Sequence, residues 1–302
     1  MFPKKNKYSL KSLNRIRIGG KASYYVVAIN ASILQEVIKF SSQKQIPFYI
    51  LGAGSNVVIS DEDFDGIVIR LGGELESIAF DAKQACVTAR AGASLMNLGF
   101  RLARLGYLGY TYMAVIPGTI GGAVRMNAGT TKEGEIKDHF VKARVLDPST
   151  CEVVEYEWKD MGFGYRESAI SNTGRIILQA AFRLKEESGR DVRQAMKNVQ
   201  ALLASRREKQ PRNRRTFGST FKRPPGGKPA GWYLERVGMK GMRVGNAMVA
   251  KEHANWILNI GEARSADVKA VIDIGQKRVF EEYGVMLSRE VIYLPEDMEQ
   301  WD

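Results

Sequence analysis

The run Phe48-Tyr49-Ile50-Leu51 reads as a strand. It turns through Gly52-Ala53-Gly54-Ser55-Asn56 and re-enters strand-like sequence at once with Val57-Val58-Ile59. That succession constrains the fold more than any other stretch. A glycine-rich turn after a strand opens a Rossmann unit only when a third glycine follows and a helix begins there, its N-terminus meeting a pyrophosphate. Here β-branched residues follow, and no helix fits before Asp61. The doubly wound reading fails at this point, and the turn must join two strands. It is either a plain hairpin turn or a loop whose successive N–H groups form an anion nest, with Ser55 and Asn56 adding side-chain donors. The turn alone does not separate the two.

The surrounding pattern is mixed. Ala31 to Phe40 places Ile33, Leu34, Val37 and Ile38 on one face of a short amphipathic helix. With strands at 46–51 and 66–71 it makes a small βαβ-like unit. Strands are predicted at 76–80, 84–90, 139–147, 151–158 and 175–185, with a helix around 93–105. A long helix from Asp191 to about Glu208 carries Val192, Met196, Val199, Leu202 and Leu203, and its basic end before Pro211 marks a domain boundary. Beyond it the pattern predicts strands at 216–222, 246–249 and 256–259, a helix at 265–283 and a final strand at 287–294. This is an α+β chain, with more strand than a doubly wound fold carries.

A second glycine-rich segment runs from Ile116 to Gly129, with four glycines and two alanines. So few side chains suit close approach of backbone to an extended ligand, or else a tightly packed turn against a helix. Two such segments in one chain favour a ligand of dinucleotide size. The formal charge is +12, and the densest block is Ser205 to Arg215, containing Arg206, Arg207, Lys209, Arg212, Arg214 and Arg215. It lacks the interleaved aromatics of a base-stacking surface. It reads either as a solvated helix end or as a polyanion site such as a diphosphate pocket. A nucleic-acid-binding protein is the rival that the charge alone suggests. The cysteines, Cys86 and Cys151, lie far apart, and with two histidines no metal-ligand spacing exists. No apolar run reaches membrane-spanning length and no signal-peptide pattern follows the basic N-terminus, so a cytoplasmic protein is expected.

The ordered pieces resemble one family. They are Ile18-Gly19-Gly20, Leu51 to Asn56, Ala91-Gly92-Ala93, Ile116 to Gly129 and Gly164-Tyr165-Arg166-Glu167-Ser168. Gly218-Ser219-Thr220-Phe221-Lys222, Ala230-Gly231, Lys251 to Trp256 and Leu287 to Val291 follow. Each is weak alone, but together, in order and over nearly the whole chain, they are specific. The chain is similar to the UDP-N-acetylenolpyruvoylglucosamine reductase (MurB) family, in its shorter form, because little sequence separates Arg166-Glu167-Ser168 from the long helix. The resemblance implies a two-subdomain FAD-binding region of the vanillyl-alcohol-oxidase (PCMH) type at 1–74 and 75–210. An α+β substrate-binding domain at 211–302 would follow it. It implies a cytoplasmic flavoprotein of peptidoglycan synthesis that uses NADPH to reduce the enolpyruvyl ether of a UDP-sugar.

Residue by residue, the resemblance puts Ser219 as proton donor, Arg166 at the substrate carboxylate, and Glu290 as aid to proton placement or enolate stabilisation. Gly52, Ala53, Gly54, Ser55 and Asn56 would hold FAD. So would Pro117, Gly118, Thr119, Gly121, Gly122, Ala123, Asn127 and Gly129. Tyr165, Arg206, Lys209, Lys222 and Arg223 would meet the substrate; no metal is implied. The chain departs from the family where Arg223 replaces an asparagine, where Asn14-Arg15-Ile16 replaces Asn-Thr-Phe, and where a glutamate expected before Ile116 is absent from Gly109-Tyr110-Thr111-Tyr112. None removes a catalytic position, so an active enzyme is expected. The rival within the same fold is another FAD oxidoreductase with a different substrate.

Overall fold

The computed structural model describes residues 7–130, 132–184, 190–213 and 215–300. The first residues of the basic N-terminus, the last residue of the strand predicted at 175–185, and Arg214 of the basic block lie outside them. The first sheet has the order Tyr8–Ser9, Lys21–Ala28, Phe64–Leu71, Phe48–Ile50, and its last three strands are parallel. Helix α1 (Ala31–Lys44) crosses between Lys21–Ala28 and Phe48–Ile50. Asn30 caps its start by accepting from the Ile33 N–H, 3.0 Å away. Leu34, Val37 and Ile38 of α1 pack on Ala28, Ile67 and Ile69, as the helical periodicity predicts. The strand Lys21–Ala28 was not foreseen, because its exposed and buried residues do not alternate cleanly.

The glycine turn at 52–56 is not a hairpin. Phe48–Ile50 stays in the first sheet, while Val57–Ile59 leaves it to pair in parallel with the C-terminal strand Ile292–Leu294. Gly54 drives the departure. Its φ is +60°, and a Cβ there would lie 2.4 Å from the Leu13 carbonyl oxygen. Its own carbonyl accepts from the Arg15 N–H at 2.9 Å. The loop is therefore pressed onto the 13–15 segment and cannot fold back on its strand.

The second sheet is antiparallel, in the order Val153–Glu157, Phe140–Leu146, Ile176–Arg183, Cys86–Arg90, Ile78–Asp81. Helices α2 (Leu95–Arg104), α3 (Ile120–Arg125) and α4 (Val192–Lys209) and the 3-10 helix Leu108–Val115 accompany it. Leu98, Leu102, Tyr110, Tyr112 and Ile120 share its core with Val87, Ala89, Val145 and Phe182. Gly99 brings α2 hard against the 3-10 helix, since a Cβ there would sit 2.2 Å from the Ala114 nitrogen. The second glycine-rich segment contains α3. Gly121 lets this helix lie on the first sheet-two residues beyond Arg90, a Cβ being 3.1 Å from that of Ala91.

The C-terminal part has a three-stranded antiparallel sheet (Arg243–Val244, Ala247–Val249, Ile257–Asn259) with α5 (Ala230–Arg236) and α6 (Ser265–Tyr283). Its core joins Phe217, Phe221, Leu234, Val268 and Ile272 to Ile16, Ile18 and Val58 from the N-terminal part. Two predicted strands are corrected here. Residues 216–222 form only single bridges, Ser219 to Trp256 and Phe221 to Arg289, because Gly218 breaks the extended run at φ +88°. The final strand is confined to Ile292–Leu294. Helix α5 was hidden by its entry through Pro224-Pro225-Gly226-Gly227-Lys228-Pro229, which reads as loop. No described helix is long and apolar enough to cross a membrane.

Candidate active site

The two glycine-rich segments meet each other. The Ser55 hydroxyl donates to the Pro117 carbonyl at 2.9 Å. A Cβ on Gly52 would lie 2.7 Å from the Thr119 Oγ1, and one on Gly118 would meet nothing nearer than the Ser55 Oγ at 3.8 Å. Thr119 in turn caps α3 by accepting from the Gly122 N–H. The Asn56 amide donates to the Glu290 carbonyl at 3.0 Å, tying this double loop to the C-terminal part. The loops form one wall of a cavity of about 1570 Å³. That exceeds the roughly 300–1,000 Å³ of an ordinary small-molecule site. Bare backbone at Gly118 and Gly122, where a Cβ would meet only the Ser55 Oγ at 3.8 Å and the Thr119 Oγ1 at 3.5 Å, fits the approach of an extended dinucleotide such as FAD. If the loops must stay closed to hold it, Gly52→Val should force Thr119 away. The expected result is about 10- to 100-fold weaker FAD binding by the apoprotein, the scale of a ~1–3 kcal/mol overpacking strain, read by fluorescence titration.

Polar and charged side chains line the cavity next to these loops. Arg166, Ser219 and Glu290 all line it. Arg166 is held in the left-handed region (φ +60°) within a tight turn whose Gly164 N–H donates to the Glu167 carbonyl at 3.1 Å. Its Nη1 donates to the Glu135 Oε1 (3.2 Å) and the Asn127 carbonyl (3.4 Å), and its Nη2 to the Gly129 carbonyl (2.6 Å). Its Nε lies 3.5 Å from the Glu290 Oε1, ion-pair distance. Tyr165 stacks beneath the guanidinium, 5.0 Å from ring centre to Cζ. Burial pushes the Glu290 carboxyl above the ordinary glutamate range, with Arg166 and Lys222 pulling the other way. The Ser219 segment is fixed from behind by Asn255. Its Oδ1 accepts from the Phe221 N–H and its Nδ2 donates to the Phe221 carbonyl.

The predicted residues divide. Gly52 to Asn56, Pro117, Gly118, Thr119, Gly121, Gly122, Ala123, Gly129 and Arg206 line the cavity along with the three residues above. Asn127 does not. It is fully buried, its Nδ2 donating to the Gly164 carbonyl (2.7 Å) and Glu135 (3.2 Å) and its Oδ1 accepting from the Lys137 N–H. It braces the turn that carries Arg166. Tyr165, Lys209, Lys222 and Arg223 also lie off the lining. Lys222 is 3.5 Å from Glu167, and Tyr165 is 40% exposed. Arg207 and Arg212 of the basic block line the cavity with Arg206; residues not foreseen include His253 and Trp256 on the lining, Trp256 bridged to Ser219, and Glu135 behind Arg166. The Lys251 to Trp256 motif held the signal for His253 and Trp256. Nothing in the polar loop at 132–138 marked Glu135.

Fold and cavity together define an FAD-dependent oxidoreductase: residues 22–156 match the FAD-binding domain family. Residues 210–294 match the C-terminal domain of UDP-N-acetylenolpyruvoylglucosamine reductase. The reductase of that name from Caldicellulosiruptor bescii is 36% identical over 289 residues, 96% of this chain and 90% of the relative. That of Trichormus variabilis is 37% identical over 295 residues, 97% of this chain and 86% of the relative. The crystal structure of UDP-N-acetylenolpyruvylglucosamine reductase (MurB) from Thermus caldophilus superposes with a TM-score of 0.79 at 33% identity, covering 96% of this chain and 98% of that one. The chain belongs to the UDP-N-acetylenolpyruvoylglucosamine reductase family. It is an FAD-dependent reductase of peptidoglycan synthesis.

Proposed function

We propose that the protein reduces the enolpyruvyl ether of UDP-N-acetylglucosamine enolpyruvate to UDP-N-acetylmuramate, with NADPH as reductant. The observation that carries this reading is the Arg166–Glu290 pair, on the wall of the cavity that Ser219 and the glycine cradle also line. FAD, when bound in that cradle, supplies a route for hydride from NADPH to the carbon of the double bond remote from the carboxylate. What remains for the protein is an enolate-like charge to stabilise and a carbon to protonate. Arg166 matches a carboxylate with two parallel N–H donors, so it holds the charge that develops there. Ser219 delivers the proton. Glu290, protonated more readily because it is buried, hydrogen-bonds the same developing charge. Arg206, with Arg207 and Arg212 beside it, receives the diphosphate of the UDP-sugar.

The same reading divides the chain into FAD-binding subdomains at 1–74 and 75–210 and a substrate domain at 211–302, and places it in the cytoplasm, where UDP-sugars and NADPH are found. It is tested by NADPH consumption that requires UDP-N-acetylglucosamine enolpyruvate; a flavin enzyme that oxidises NADPH only with other acceptors would favour the rival substrate.

Glu290 carries a pH prediction with a definite sign. Its raised pKa extends the protonated form upward, so flavin reoxidation by substrate should fall as pH rises through that value. The midpoint should lie above that of an ordinary glutamate. Glu290→Gln, which cannot ionise, should remove this limb. A wild-type rate that rises through the same range would reverse the role.

A further inference from the structure

We propose that Glu135 is a positioning residue for the reaction: it fixes which edge of the Arg166 guanidinium faces the substrate carboxylate and keeps Arg166 from collapsing onto Glu290. The inference rests on the function proposed above. Glu135 sits in a two-residue strand, Gly134–Glu135, paired with Gly129–Thr130. The pairing is so close that a Cβ on Gly129 would lie 2.5 Å from the Gly134 carbonyl oxygen. That closeness puts the Glu135 carboxylate behind Arg166 rather than in the cavity. Glu135 is not among the cavity-lining residues, whereas Arg166 and Glu290 are.

Both oxygens of Glu135 are committed. Oε1 takes the Arg166 Nη1 at 3.2 Å; Oε2 takes the Asn127 Nδ2 at 3.2 Å and the Lys137 Nζ at 3.1 Å. With the Asn127 and Gly129 carbonyls also accepting from Arg166, Nη1 and one hydrogen of Nη2 are anchored. The second Nη2 hydrogen is left for the cavity side, beside the Nε that lies 3.5 Å from the Glu290 carboxylate. A fork held at one end presents its other edge in one orientation, and bidentate capture of a carboxylate needs that orientation.

Glu135 also sets a balance. Arg166 stands between two carboxylates, with Glu135 at 3.2 Å and Glu290 at 3.5 Å. Without Glu135 the guanidinium keeps one anionic partner and swings toward it. Glu290, now 3.5 Å from the Nε, would then close further onto the edge that meets substrate and be drawn toward its ionised form. Among the described residues Arg166 and Lys222 are the charged groups that act on Glu290, and none of the others restores the balance.

The test separates the two half-reactions in the FAD-loaded enzyme by anaerobic stopped flow. Glu135→Ala should slow flavin reoxidation by UDP-N-acetylglucosamine enolpyruvate about 10²-fold, the scale of a misplaced positioning group. It should move the Glu290 pH limb to lower pH and leave flavin reduction by NADPH and FAD content unchanged. Glu135→Gln keeps an acceptor for Arg166 without the charge. It should recover part of the rate and retain the shifted limb. An unshifted limb in both variants, or equal loss of both half-reactions, would overturn the role. A wild-type enzyme that fails to turn over this substrate would instead remove the parent reading, before any variant is compared.

Discussion

Ser219→Ala is expected to leave flavin reduction by NADPH nearly intact and to slow reoxidation of the reduced flavin by UDP-N-acetylglucosamine enolpyruvate about 10²- to 10⁴-fold. That is the usual range for loss of a general acid. The asymmetry follows from chemistry. Reducing the flavin needs no proton from Ser219, whereas saturating the double bond leaves a carbanionic centre that must be protonated. An alcohol is a weak acid in water, so the role needs a site that shapes and dries its surroundings. Here Gly218, at φ +88°, turns the chain so that Ser219 lines the cavity. The neighbouring Thr220 side chain is buried, its hydroxyl without a hydrogen-bond partner among the described residues. Single-turnover absorbance of the flavin reads both half-reactions in one preparation. Equal slowing of the two would mean that the substitution disturbs cofactor placement instead of proton delivery.

Arg166→Lys should cost about 10²- to 10³-fold in the substrate half-reaction, comparable to removing an oxyanion-stabilising donor. Lysine keeps the charge but loses the planar fork. It also cannot serve the Glu135 carboxylate and the Asn127 and Gly129 carbonyls together while facing a substrate. FAD content should be largely retained, because the contact between the two cofactor loops is made by Ser55 and Pro117 and does not depend on the Arg166 side chain. Steady-state kinetics should show the loss in kcat as well as in kcat/KM, since the contact strengthens as charge develops. A change in KM alone would restrict Arg166 to binding.

What could be read from the sequence followed periodicity and spacing. The apolar faces of α1 and α6 repeat at helical intervals, and both helices lie where that pattern puts them. The glycine turn at 52–56 was recognisable as a strand-to-strand loop because β-branched residues follow it. Its partner strand was not, because Val57–Ile59 pairs with residues more than two hundred positions away, and short-range pattern carries no such information. Helix α3 was obscured by Gly121 and Gly122, poor helix formers whose value lies in packing. The resemblance puts Asn127 at the cofactor; that its buried amide also braces the turn of Arg166 depends on contacts with Glu135 and Gly164 that only folding makes. Glu135 left no mark, since its carboxylate matters only through the Arg166 that folding brings beside it from thirty-one positions on.

The central claim is that this cavity passes reducing equivalents to an enolpyruvyl UDP-sugar. The most direct measurement is flavin absorbance of the NADPH-reduced wild-type enzyme, mixed without oxygen with UDP-N-acetylglucosamine enolpyruvate. The account predicts rapid return of the oxidised flavin spectrum, with stoichiometric UDP-N-acetylmuramate. A flavin that stays reduced in the presence of saturating substrate would contradict it.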